Sequence, residues 1–206
     1  GRAIRFPATD VRVFNSRASV GVRGIKLNGD DKVVSMSILR HFDATSDERS
    51  AYLKMRRAVA GLADDADTPA EDEEVNANAT ISQERYAQMS AAENLLLTIS
   101  EKGSGKLSSS HDYPVRGRGG LGVAAMDRAM RGGDIVASFP VELDDQIMLA
   151  TSKGQSIRVP VEGISFRSRS AGGVKVFDTG RGEVVVSVAR IADQGDATVE
   201  TDADDA

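Results

Sequence analysis

Gly117, Gly119 and Gly122, in the run YPVRGRGGLGV (residues 113–123), stand at the spacing G-x-G-x-x-G. With a strand before them and a helix after, glycines so spaced let the backbone close around a dinucleotide pyrophosphate, and the following VAAMDRAM could supply the helix. Arg116 and Arg118 in the same run open a second chemistry. A guanidinium beside a glycine turn offers charge, a planar fork and exposed N–H groups to the phosphates of a nucleic acid. The third reading needs no ligand, only a tight turn. The elements on either side decide among the three.

Three segments align on their glycines: SRASVGV ending at Val22, GRGGLGV ending at Val123, and SRSAGGV ending at Val174, each of the form Arg-x-x-x-Gly-Val. Arg118 and Arg169 are 51 residues apart, and so are the Lys-Gly turns Lys102-Gly103 and Lys153-Gly154, which follow the similar runs LLLTISEKG and IMLATSKG. A third landmark, an acid leading into a β-branched run, recurs at Asp31, Asp134 and Glu183. Two independent landmarks with one spacing make a repeat of about 50 residues, and short strands with glycine turns at that period read as blades of a propeller-like array. A dinucleotide fingerprint occurs once, whereas here the other two copies keep the arginine and the Gly-Val but lose most other glycines. The G-x-G-x-x-G match is therefore read as accidental. Three units are too few to close a ring.

The first and second copies lie 101 residues apart, about one period too many, so a segment is inserted between Leu39 and Leu95. It reads as helical: Thr45-x-x-Glu48 forms a capping box, Tyr52, Met55, Val59 and Leu62 recur at helical spacing, and Thr80-x-x-Gln83 opens a second candidate helix through Tyr86 and Met89. The expected organisation is a blade over 1–40, a mainly helical insertion with an acidic loop over 41–94, two further blades over 95–192, and a disordered acidic tail over 193–206. The fold class is all-β, a partial β-pinwheel of short antiparallel strands carrying a helical insertion.

Composition limits the chemistry. There is no Cys, and only His41 and His111 represent histidine, so neither a thiolate nor a histidine-rich metal site is expected. No apolar stretch approaches the ~20 residues that cross a bilayer, and a chain opening GRAIRF without Met reads as an internal piece of a longer cytosolic protein. The net charge of −5 conceals an asymmetry: residues 64–74 carry seven acids and 193–206 six, with no base in either, and the remainder carries +8. A polyanionic partner fits that remainder. The acidic tail, tethered beside it, is expected to compete with such a partner.

The segments VRVFNSRASVGVRGIKL (residues 11–27), DDQIMLATSKGQSIRVPVEGIS and SRSAGGVKVF resemble the carboxy-terminal domain of the DNA gyrase A subunit, the β-pinwheel family that wraps DNA. The likeness covers all but the insertion. The family's wrapping box, Gln-Arg-Arg-Gly-Gly-Lys-Gly, is matched by Arg116 to Gly122 with Arg118, Gly119, Gly120 and Gly122 in register. Arg116, Gly117 and Leu121 depart from it, so this is read as a degenerate copy in a later blade. The resemblance implies an ATP-dependent type II topoisomerase that introduces negative supercoils, with double-stranded DNA as partner and an A2B2 heterotetramer formed with the gyrase B subunits and a second copy of the A chain. No cofactor is expected in this part; ATP and Mg2+ are implied for the holoenzyme. The family's nucleophile is a tyrosine beside an arginine in a winged-helix region, whereas Arg85-Tyr86 falls in the insertion and is not read as catalytic.

The residues expected at the DNA are Arg17, Lys26, Arg116, Arg118, Gly119, Gly120, Gly122, Lys153, Arg158, Arg167 and Arg169. For the three repeated arginines, 17, 118 and 169, hydrogen bonding to a neighbouring blade's carbonyls would recur equally well. Two alternatives stay open: the related carboxy-terminal domain of topoisomerase IV, and a protein-binding propeller that uses the helical insertion for recognition.

Overall fold

The structure, a computed structural model, describes residues 1–60, 76, 78–127 and 132–192. The acidic run 64–74, Leu62 and the tail 193–206 lie outside the described residues, with the expectations attached to them.

The second and third repeats are antiparallel sheets built on matching hairpins. Strands β2 (Leu95–Ser100) and β3 (Ser104–Ser109) turn at Lys102-Gly103, while β6 (Gln146–Thr151) and β7 (Ser156–Pro160) turn at Lys153-Gly154. Gly103 and Gly154 adopt φ of +75° and +82°, a left-handed conformation that glycine enters without a Cβ clash. The acid-led segments supply the next strands: β5 (Ile135–Val141) pairs with β2, and β9 (Val185–Ile191) pairs with β6. Even the register shifts repeat, between Ile99 and Ser100 in one sheet and between Ala150 and Thr151 in the other.

The units share strands and a core. Val174–Lys175 (β8), from the third repeat, pairs with β3 and completes the order β5-β2-β3-β8, while Arg2–Ala3 (β1) pairs with Val123–Ala124 (β4) of the second repeat. In β6 the side chains alternate, with Ile147, Leu149 and Thr151 buried and Met148 exposed, as the pleat requires. Leu97, Ile99, Leu107 and Val141 of the second repeat and Ile147, Leu149, Val161, Ile164 and Val185 of the third form one aliphatic cluster. Each sheet therefore buries part of its neighbour, the property that makes repeat arrays cooperative.

The first copy differs. Its acid-led run from Asp31 forms no strand, and Val13, Val20, Met36 and Ile38 are 80–93% exposed. The reason is the absence of a partner: β5 and β9 each pair with a Leu- or Ile-rich strand of their own unit, and no described strand plays that part for residues 31–39. Leu39 alone of this stretch packs onto a core, that of Leu96, Tyr113, Val123 and Ala125.

The insertion forms two helices, α1 (Ser46–Val59) and α2 (Gln83–Ala92). Thr45 and Glu48 make the reciprocal capping box at α1, with distances of 2.9 and 3.2 Å. The second cap is Ser82, whose hydroxyl accepts the Arg85 amide at 3.1 Å; Thr80, expected in that role, lies two residues too early. Tyr52 and Met89 are fully buried on the second repeat, where Tyr52 stacks edge-on to His111 at 5.1 Å. Val59, counted in the same apolar stripe, is 71% exposed.

Candidate nucleic-acid interface

The glycine-arginine turn is anchored from behind by the preceding repeat. The Arg116 amide donates to Arg5 O at 2.8 Å, Gly119 N to Gly24 O at 2.5 Å, and Lys26 N to Gly120 O at 2.8 Å. The third repeat docks on the second in the same way, Arg167 N donating to Leu107 O at 2.8 Å and Asp127 N to Ala171 O at 3.2 Å. The motif glycine is where two backbones press together: a Cβ on Gly122 would lie 2.3 Å from Ala3 O, and one on Gly173 2.9 Å from Gly105 O. On the first copy, Gly21 has nothing within 4 Å of that position.

The repeated arginines lie along these seams. Arg118 donates from Nε to Asp10 O at 3.0 Å and from Nη1 to Arg23 O at 3.1 Å, and its side chain stays exposed. Arg169 is 2% exposed; its Nε donates to Asp112 O at 2.9 Å and its Nη1 to Ala124 O. Asp112 Oδ2 also accepts the Arg169 amide at 2.6 Å. Burial pushes the Asp112 carboxyl above its ordinary pKa, and Arg169 opposes that shift. Beneath the same turn Lys106, fully buried, donates from Nζ to the carbonyls of Ser168, Arg169 and Ala171 at 2.5–2.7 Å.

The expected contact residues divide into groups. Lys26, Arg116, Arg118, Gly119, Gly120 and Gly122 come together at the first seam, where Arg116, Gly120 and Gly122 line a cleft with Ile4, Gly117, Leu121 and Val123. Lys153 and Arg158 are exposed on the β6–β7 hairpin, the Lys153 ammonium donating to Arg181 O at 2.7 Å. Arg17 is exposed in the first repeat, on a stretch that forms no strand. Arg167 is half-buried and Arg169 buried, both at the second seam. That placement turns Arg169 toward the carbonyls of the neighbouring unit, the alternative its recurrence left open. Two further lysines stand at these seams and turns: Lys102, exposed at the hairpin turn matching Lys153 at the 51-residue spacing, and Lys106, whose repeat equivalents Ile4 and Ile157 carry no charge.

Arg85 and Tyr86 are engaged within the insertion. Arg85 Nε pairs with Glu48 Oε1 at 2.7 Å and holds that carboxyl below its usual range, and the Tyr86 ring lies 5.0 Å from that of Tyr52. Among the described residues, no group of three or more His, Asp or Glu side chains is placed to hold a metal ion.

Stacked antiparallel units that exchange strands across repeated seams define a β-propeller type of domain. The family model described as "DNA gyrase C-terminal domain, beta-propeller" matches residues 1–40, 94–139 and 145–192, and the chain belongs to that family. The match passes over both helices. The DNA gyrase A subunit of Granulibacter bethesdensis is 46% identical over 199 residues, covering 91% of this chain and 21% of its own length. That of Rickettsia bellii is 38% identical over 199 residues, covering 95% and 21%. This chain thus spans about a fifth of the length of these relatives. A solved DNA gyrase A C-terminal domain is 25% identical across 48% of this chain and 34% of that chain, with a TM-score of 0.46.

Proposed function

We propose that this chain is the DNA-binding and DNA-wrapping part of the DNA gyrase A subunit, within an ATP-dependent type II topoisomerase that introduces negative supercoils. The observation that carries the reading is the Arg116–Gly117 end of the glycine turn. It is basic, exposed and anchored by the preceding unit, with open space beside Gly117 through which a phosphate can approach the backbone. Family membership supplies the class of polyanion.

Contacts of this kind, with Lys26, Lys153 and Arg158 as further cations, recognise the phosphodiester backbone and carry no base information. Bending 20–30 base pairs by 40–90° costs on the order of 1–6 kcal/mol, so many weak phosphate contacts must act together to hold a wrap. Strand cleavage and the use of ATP and Mg2+ are assigned to the rest of an A2B2 heterotetramer, formed with the gyrase B subunits and a second copy of the A chain, in the cytoplasm.

Sealing nicked circular DNA with ligase in the presence of the protein tests the proposal. Wrapping shifts the linking-number distribution in proportion to bound protein; an unchanged distribution at saturation would overturn it.

A further inference from the structure

We infer that Arg118 and Arg169, the arginines of the second and third Arg-x-x-x-Gly-Val motifs, are inter-unit staples, positioning residues that fix how one repeat is held against the one before it. Their effect on the DNA path rests on the wrapping reading above; the contacts themselves do not. Arg118 and Arg169 use the same nitrogens on the same acceptors: Nε on the last residue of a 3-10 turn (Ala8–Asp10 or Ser110–Asp112), and Nη1 on the residue after the motif valine, Arg23 or Ala124. Two carbonyls from separate segments of one unit are thereby tied to the next unit by one rigid fork.

The chemistry explains why arginine occupies the position. A guanidinium presents N–H donors in a fixed plane and can span two acceptors, whereas a lysine ammonium is a single point on a flexible stem. Arg169 is itself buried, so turning it out to a phosphate would break up the seam and take this donor from both carbonyls, a cost that an exposed phosphate contact does not offset. The glycine four residues on completes the device, because the close approach at Gly122 and Gly173 leaves no room for a side chain. Arg17 and Gly21 carry the same pair on the first copy, where both are exposed and uncrowded.

Neither of the two seams is a copy of the other. The second is buried and reinforced by the Asp112 carboxylate and the Lys106 ammonium, while the first leaves Arg118 exposed, with the uncharged Ile4 at the position of Lys106. The staple thus holds the second and third units as one body, and the first seam is the more easily altered.

The test uses Arg118→Lys and Arg169→Lys in the full chain, which keep the charge and remove the fork. The chain has no cysteine, so nitroxide pairs can be placed without background at exposed positions: Thr9 with Ala91 across the first seam, and Ala91 with Ser187 across the second. A staple predicts a broadened or shifted distance distribution across the altered seam only, with the salt dependence of DNA affinity unchanged. Unaltered distances in Arg118→Lys, together with a log–log salt slope that falls by about 0.9 in Arg118→Ala and is kept in Arg118→Lys, would make the residue a phosphate ligand and overturn the inference. If Arg169→Lys does not fold, the exposed Arg118 seam decides alone. The distance measurement needs no DNA, so failure of the wrapping reading leaves it intact.

Discussion

A side chain on Gly173 would begin 2.8 Å from the backbone nitrogen of Gly105 in the neighbouring repeat. The contact lies where β8 crosses onto β3, so the glycine sets how closely two units can share a sheet. Gly122 meets Ala3 in the equivalent place, at a φ of +69°.

Substitution should therefore separate the three motif glycines. Gly122→Ala and Gly173→Ala are each expected to cost about 1–3 kcal/mol by overpacking, with added backbone strain at Gly122. Gly21→Ala, in open space, should change stability by less than about 0.5 kcal/mol in this chain. Urea denaturation of the three variants checks the order; equal costs at all three would remove the seam explanation.

Lys106 offers a second contrast. Its buried ammonium donates to three main-chain carbonyls at once, those of Ser168, Arg169 and Ala171. Lys106→Met should destabilise by about 2–4 kcal/mol, since buried acceptors lose this donor. The same exchange at exposed Lys102 should be near neutral. Thermal unfolding of both variants measures the difference.

His111 predicts a pH dependence. It is 3% exposed between Phe42 and Tyr52, with Nε2 2.8 Å from Met89 O. Burial pushes its pKa below the ordinary 6.5; Arg5 and Arg49 act in the same direction, and the Met89 carbonyl and Glu93 oppose them. The unfolded chain therefore takes up the proton first, so this contribution to stability is complete above pH 6.5 and declines as pH falls toward the folded value. Amide exchange over Gln83–Ala92, corrected for intrinsic rates, should accelerate as pH falls below about 6.5, and His111→Gln should abolish that change.

What the sequence disclosed and what it withheld follow from where the information lies. The period was legible because the Gly-Val and Lys-Gly turns depend on residue type, and the Thr45 cap because its partner stands at a fixed offset. The second cap was misplaced because Thr80 and Ser82 are equally able to cap, and only the path of the chain chooses. The missing strand after Asp31 reflects the absence of a partner, which β-propensity cannot report. The role of the repeated arginine stayed open between a phosphate and a neighbouring unit's carbonyls for a simpler reason: main-chain carbonyls belong to every residue, so no residue type marks them as its acceptors. Lys106 was hidden because its equivalents, Ile4 and Ile157, make that position read as ordinary core.

The most direct test of the central claim is the affinity of this protein for random-sequence duplex DNA, titrated across salt concentrations from about 50 to 200 mM. Backbone recognition by exposed cations predicts tight, sequence-independent binding whose log affinity falls linearly with log salt, by about 0.9 per phosphate engaged. Replacing Arg116, Lys153 and Arg158 together with alanine should flatten that slope by up to about 2.7 while the fold persists. Binding that ignores salt, or a slope untouched by the triple substitution, would contradict the account.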